Sequence, residues 1–478
     1  MQTQLLKEAR KKLKNKYGTA LSKKVTDTLC MQTFQEGLSP HIASFSEEVI
    51  AAQPGSVRPG VIIEFAESPV QKGWAKTGAG TGKKLNKILE AFSKEEDITI
   101  NIRQLLRESK IKAYRESVIR SIQHVNAFLE RKIERGFTHG NRSLQDQAYL
   151  TRLCWLNQTV QTIARMQTLA EIADDPKIIK FDAPRKLEGE INETGKLVSA
   201  PQYRQKFSRT GKGVIVAVID SEVALNLKAL KDRVVQRKNF TKEPWGNPSK
   251  HGTGVAGIIG SDDTDFSGMA PQATIYNYKV LATDSLLNAD TFDGTSAIER
   301  ALEDGAHIAN CSWGAGPATD GNGREARACN NAWDMGMTVV KSAGNNGPGA
   351  GTLTTPADAR GIIVVGATGK DGKKMEDYSS RGPLSSGEHR PHLVAPGGSF
   401  GNGIFSCLTA GGFDDIGRGT SFAAPHVSGL LALLLEEDHT LSPDEQRNLA
   451  LRLCKKLSGF GVDAQGTGII SMASLINP

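Results

Sequence analysis

An α/β fold, with a parallel sheet flanked by helices and preceded by a helix-rich α+β domain, follows from three features of the sequence. From Gly213 onward, short apolar runs alternate with helical patterns. GVIVAVI, HIANCS, MTVVKSA and GIIVVGA read as strands buried on both faces, and TSAIERALEDG, REARACNNAWDMG and GLLALLLEE as the helices between or after them. Ahead of this region the chain is charged and largely helical in pattern, and 478 residues exceed what one core usually supports. In such sheets sites gather at the carboxyl ends of strands, where Asp220 ends the first run.

Taken in order, residues 1–56 read as a charged helix and a polar connector, 57–190 as a separate small domain, and 191–478 as the main domain. Val61 to Phe65 is a strand by its β-branched content. The loop KTGAGTGKKL that follows lacks P-loop spacing: Thr77 stands where the first glycine is required and Lys84 where Ser or Thr is required. Ile100 to Gly136 has a helical pattern with Leu105, Ile111, Val118, Ile122 and Leu129 among its apolar positions. A second helical segment carries Leu153, Cys154 and Trp155. TLAEIADDPKIIKFDAPRK then reads as a helix, a turn at Asp174-Asp175-Pro176 and a strand. Lys186 to Ala200 is a polar junction open to cleavage.

The formal charge of +7 is modest, acidic residues are interleaved with the basic clusters, and no nucleic-acid motif accompanies them, so a nucleic-acid partner is not expected. No apolar run approaches the roughly 18 residues of a membrane span. Charges in MQTQLLKEARKKLKNKYG stand where a signal peptide needs its apolar stretch, which predicts a cytoplasmic protein without a membrane partner. The six cysteines, Cys30, Cys154, Cys311, Cys329, Cys407 and Cys454, are scattered without paired or metal-ligand spacing and suit a reducing compartment.

Chemistry concentrates in three stretches. RGTSFAAPHVSGL puts Ser421 between a glycine-containing turn and an apolar helix, so that its neighbouring backbone N–H groups and the helix dipole favour negative charge. Pro425 is read here as lying in the first turn, where a missing N–H is tolerated. SKHGTGVAGIIG surrounds His251 and GKGVIVAVIDSE surrounds Asp220. Together they give the order Asp, His, Ser, one of the orders in which a serine-hydrolase triad occurs. With these three motifs the chain, from about Val198 to its C-terminus, resembles the subtilisin (subtilase) family of serine proteases.

That resemblance implies a subtilisin-like fold and a serine endopeptidase working through an acyl-enzyme. Ser421 would be the nucleophile, His251 the base and Asp220 the group that orients it. KSAGNNGPG resembles the family's AGN motif and would make Asn345 an oxyanion donor. Ser312, Trp313 and Gly314 would pair with an extended protein or peptide substrate, facing Ser342, Ala343 and Gly344 across the specificity pocket. Walls of Gly and Ala suggest a large apolar or uncharged residue before the scissile bond, and Asp320 reads as turn chemistry. The stretch before the protease resembles the end of a propeptide, which implies a zymogen whose own N-terminal domain is an intramolecular inhibitor. FSGMAP, YSSRGP and HLVAPGG match scaffold loops of the family.

No cofactor is expected. Structural calcium, common in the family, has no motif that locates it here, and the acidic loop of Asp262, Asp263 and Asp265 reads as solvated. His426, five residues after Ser421, is turned roughly 140° from it on a helix and reads as structural, as do His307 and His392. The chain departs from the family pattern at Glu222, where glycine is usual, and at ALNLKAL, which replaces His-Pro-Asp-Leu. A non-glycine residue there is able to alter the turn, and its carboxylate to perturb the site, but activity is still expected. The alternative readings are a latent or partner-activated protease and an inactive peptide-binding protein on the same fold.

Overall fold

The computed structural model describes residues 197–476 apart from 231, 264, 265, 284, 286 and 287. Nearer the N-terminus it describes 18–25, 61–65, 111–123, 151–162, 166–182 and 188–189, with a few single positions. The KTGAGTGKKL loop, the connector before residue 61, Leu105, Leu129, Cys30, Asp265 and most of the junction 186–196 lie outside the described residues. The chain divides into two compact units, 1–185 and 186–478.

In the first unit, β1 (Val61–Phe65), β2 (Thr151–Cys154), β3 (Thr159–Thr162) and β4 (Ile178–Asp182) form an antiparallel sheet in the order β2-β3-β1-β4. The unit also contains α1 (Thr19–Lys24), a helix α2 through residues 111–123, and α3 (Met166–Ile172). The expected VIIEF strand, the helical stretch at 111–123 and the helix–turn–strand after Met166 are present. The helix expected around Leu153, Cys154 and Trp155 is instead a hairpin, β2–β3. Gln158 takes a left-handed φ of 57° and its N–H bonds Trp155 O at 3.3 Å, which reverses the chain. β-Branched Thr159 and Val160 then complete a sheet that helical spacing would not supply. Val25, just past α1, bridges Phe181 in β4, and Lys24 Nζ donates to Asp175 O at 2.7 Å.

The second unit is built on a nine-stranded sheet. Its strands are β6 (Ile215–Ser221), β7 (Val234–Asn239), β8 (Thr274–Leu281), β9 (Ile308–Cys311), β11 (Thr338–Ser342), β12 (Ile363–Thr368), β13 (Leu393–Pro396), β16 (Cys454–Lys455) and β17 (Ile469–Ile470). The order is β16-β17-β13-β12-β11-β9-β6-β8-β7, and every pair is parallel except β16 with β17. The four apolar runs of the sequence are β6, β9, β11 and β12, and HLVAPGG, expected as a loop, holds β13. Helices α4 (Ala200–Phe207), α5 (Lys250–Gly260), α6 (Thr291–Glu303), α7 (Arg324–Asp334), α8 (Thr420–Glu437) and α9 (Pro443–Arg452) cover it.

Alternate residues of each strand face opposite helix layers, which is why the strands are apolar throughout. Val216, Val218, Val340 and Val365 join α5 and α8 in one core, while α6 and α7 pack against the other side. Helix α8 is buried on all sides from Thr420 to Leu435, as its lack of a polar face requires. It therefore holds its N-terminus fixed against the strand ends.

Two carboxylates brace the β7–β8 edge. Asp304 bonds Arg237, Arg300 and Tyr278, and Glu243 bonds Lys279, Thr283 and Asn247. Burial opposes ionisation of each, but these hydrogen bonds prevail and hold each carboxyl down at about 2. A carboxyl depressed on folding contributes stability above its unfolded range, which is lost as pH falls toward the folded value. Melting temperature should therefore be flat above about pH 5 and fall between pH 5 and 2. Asp304→Asn should lower the neutral-pH value and flatten part of that fall, as thermal scans in an inactive background would read.

Candidate active site

Helix α5 meets the end of β6 where the first two predicted residues come together. Ser249 caps α5 by accepting from His251 N at 3.2 Å. His251 Nδ1 lies 2.6 Å from Asp220 Oδ1, with Asp220 fully buried and His251 nearly so. Ser221 donates to the same oxygen from N (2.6 Å) and Oγ (3.1 Å). Gly252 N donates to Ser221 Oγ at 2.9 Å, and a Cβ on Gly252 would stand only 2.5 Å from Ser221 O. Only glycine lets the helix come this close to the strand.

Helix α8 brings the serine. Ser421 is its second residue, and the ring of the adjacent Phe422 lies 5.3 Å from the His251 ring. Pro425 sits in the second turn of α8, not in the first. Its missing N–H would have bonded Ser421 O, and that carbonyl instead accepts from Ser312 Oγ at 2.8 Å. In return Ser421 Oγ lies 3.3 Å from Ser312 O. Below this pair, Asn310 Nδ2 donates to Ser312 Oγ at 2.9 Å, and Ser428 Oγ donates to Asn310 Oδ1 at 2.8 Å. A polar ladder thus pins α8 to the end of β9.

Asn345 follows β11 on the far side. Its Oδ1 accepts from Thr420 N and Oγ1, each at 3.0 Å. The backbone donor fixes the amide's orientation, and Nδ2, buried, has no hydrogen-bond partner among the described residues. Such a donor is set to receive an oxygen that is not part of the fold. His426 Nδ1 bonds Phe422 O at 2.7 Å. His307 and His392 accept from strand N–H groups at 3.0 and 2.9 Å. All three fit the structural reading.

Glu222 does not turn into the site. Its carboxylate accepts from Gly246 N (2.8 Å), Asn247 N (3.1 Å) and Lys279 Nζ (2.9 Å), and its backbone O accepts from Ser249 N at 2.9 Å. The residue that departs from the family pattern thus ties the end of β6 to the segment leading into α5. Lys279, fully buried, also pairs with Glu243 at 2.7 Å. Lys279→Met would strand two buried carboxylates and should cost about 3–5 kcal/mol. Replacing both glutamates by glutamine in the same chain should recover much of the loss in melting temperature.

Two walls flank the start of α8, tied to it by Ser312 Oγ on Ser421 O and by Gly344 N on Thr420 Oγ1. On one side, β10 (Trp313–Gly314) pairs antiparallel with β5 (Glu188–Gly189), with Trp313 opposite Gly189 and Gly314 opposite Glu188. On the other lie Ser342, Ala343 and Gly344. Gly344 has φ 112°, and a Cβ there would press on Thr354 and Ser380. Thr354 joins the walls: it bridges Pro317, and its N donates to Ala343 O at 3.1 Å. Under it lies Lys341, fully buried, whose Nζ donates to Ser342 Oγ (3.1 Å), to Thr354 Oγ1 (3.3 Å) and to Ser342 O. Asp320, by contrast, accepts from Asn322 N in a turn at 3.1 Å, and Asp262 pairs with Arg233 at 3.4 Å.

Sequence reading missed Ser221, Asn310, Thr420 and Lys341. Asn310 and Lys341 carried a signal, Asn310 as the one amide in β9 and Lys341 as the one charge in β11. Ser221 and Thr420 act through local hydrogen bonds that no spacing announces.

Comparison with known proteins gives the family of the chain. The chain is 29% identical over 296 residues to the serine protease AprX of Bacillus subtilis, covering 55% of this chain and 66% of that one. It is 31% identical over 295 residues to the major intracellular serine protease of the same organism, covering 57% and 87%. Fervidolysin from Fervidobacterium pennivorans, a keratinolytic enzyme related to subtilisin, shares the fold with a TM-score of 0.55 at 21% identity, over 69% of this chain and 57% of that one. Residues 211–468, from the turn before β6 to the residue before β17, match the model of the subtilase family, and the chain belongs to the subtilase family of serine proteases.

Proposed function

We propose that the protein is a serine endopeptidase that cuts peptide bonds through Asp220, His251 and Ser421 and is made as a zymogen. The observation that carries the reading is the buried 2.6 Å contact of Asp220 Oδ1 with His251 Nδ1, at the strand end that faces the start of α8. Asp220 holds the imidazole with its proton on Nδ1, so Nε2 is the basic nitrogen. His251 takes the Ser421 hydroxyl proton as Oγ attacks the carbonyl carbon, and returns it to the leaving amine. Water then repeats the steps on the acyl-enzyme. Asn345 Nδ2 and the Ser421 N–H, at the positive end of α8, hold the oxyanion.

An extended substrate lies along β10, bonded through its main chain. The β5–β10 pairing supports the zymogen reading: a segment between the N-terminal unit and the protease already occupies the strand position a substrate would take. The N-terminal residues then act as the intramolecular inhibitor until the connection is cut. Among the described residues no helix is long and apolar enough to cross a membrane, and the working compartment proposed is the cytoplasm.

Ser421→Ala should abolish peptide hydrolysis and leave the chain at full length, with an unchanged circular-dichroism spectrum. Asn345→Ala should lower kcat by about a hundred- to a thousandfold with little change in KM. Steady-state kinetics beside intact mass reads both, and retained hydrolysis in Ser421→Ala would overturn the reading.

A further inference from the structure

We propose that Arg418 sets substrate choice on the leaving side of the scissile bond, where it receives an acidic side chain from the first or second residue after the cut. The proposal rests on the endopeptidase reading and adds a substrate class to it.

Position is the first argument. The chain entering α8 crosses the strand ends one by one. Ser421 O accepts from Ser312 Oγ after β9, Thr420 N donates to Asn345 Oδ1 after β11, and Gly419 N donates to Gly397 O after β13. In the sheet these strands stand in the order β13-β12-β11-β9. Arg418, next in line, therefore lies on the side of Ser421 away from β9 and the β10 strand that follows it. β10 leads away from Ser421, so a substrate antiparallel to it arrives with the residues before the scissile bond along β10. The residues after the bond continue past the start of α8, toward Arg418. Gly419 is extended, with φ 160° and ψ 159°, and the step from Arg418 to Ser421 spans at most about 10 Å. An extended substrate covers that distance in about three residues, and the arginine side chain reaches back to the first or second of them.

Chemistry is the second. The Arg418 guanidinium lies 5.5 Å from the centre of the Tyr378 ring and 5.3 Å from that of the Phe400 ring. Tyr378 is held in place: its hydroxyl donates to Gly398 O at 2.8 Å, and its carbonyl accepts from Gly347 N at 2.9 Å. Phe400 is 85% exposed and Arg418 half-buried, so the group sits at the surface. Among the described residues the guanidinium makes no hydrogen bond and no ion pair. Of the carboxylates beside Tyr378, Glu376 accepts from Ser399 Oγ at 2.6 Å and Asp377 pairs with Arg381 at 4.0 Å. Burial of Glu376 outweighs the pull of Ser399 and Arg418 and keeps its carboxyl above the ordinary range, so it offers Arg418 less than a full charge. A guanidinium held against aromatic rings keeps its N–H edge for a partner, and its fork matches a carboxylate at two points. Glutamine in that place would offer one oxygen and no charge, and lysine would be repelled.

The test gives the processed enzyme peptides that differ only at the first or second position after the scissile bond. At one of these positions Glu should be favoured over Gln by at least about threefold in kcat/KM, with Lys below Gln, and the preference should shrink as salt is raised. Arg418→Gln should bring the ratio of Glu to Gln near one, Arg418→Lys should keep part of it, and Arg418→Glu should reverse the order in favour of Lys. A merely structural arginine would change all the peptides alike and leave the ratios where they were. Rates are taken per active site titrated with a fluorophosphonate, so loss of folded protein does not enter them. An enzyme that labels and cleaves but treats Glu, Gln and Lys alike at both positions, or keeps its preference in Arg418→Gln, overturns the role of Arg418 and leaves the endopeptidase reading standing. A chain that neither labels nor cleaves any peptide overturns both.

Discussion

Helix α5 approaches the end of β6 so closely that Gly252 has no room for a Cβ, and the rest of the site depends on that approach. It sets His251 within 2.6 Å of a carboxylate removed from water, where an acceptor fixes both the ring's orientation and its tautomer. The approach is secured from two directions. Ser221 receives the Gly252 N–H, and Glu222 ties the same strand end to the segment that leads into α5. Glu222 is thus a brace whose charge is met by Lys279, and the site keeps its shape without the glycine usual in the family.

The other half of the site depends on α8 being buried on all sides. A helix without a polar face cannot rotate or slide, so its first residues stay where the strand ends need them. Pro425 contributes by omission: lacking an N–H, it leaves Ser421 O to Ser312 Oγ, and so couples the serine to the residue between β9 and β10. Asn345 spends its side-chain carbonyl on Thr420, and its buried amide has no hydrogen-bond partner among the described residues. Fold and chemistry here use the same hydrogen bonds.

Much of this was legible in the sequence. Strands buried on both faces announce themselves as apolar runs, and Asp220, His251, Ser421 and Asn345 stand in motifs whose glycines and small residues have steric reasons. The hairpin at Leu153 to Thr162 was not legible, since a short apolar stretch has no period of its own and takes its form from the strand it joins. Nor was the direction of the Glu222 carboxylate, which Lys279 determines from 57 positions away in the sequence. Lys341 was visible as a charge inside a strand, but the strand's pattern could not tell which neighbour it would reach.

The central claim is that the Asp220–His251 pair activates Ser421, and fluorophosphonate labelling followed by peptide mapping tests it most directly. The account predicts label on Ser421 in the processed wild-type protein, and its loss in His251→Ala when the fold is retained. Wild type that takes no label, or label on Ser421 that persists undiminished without His251, would contradict it.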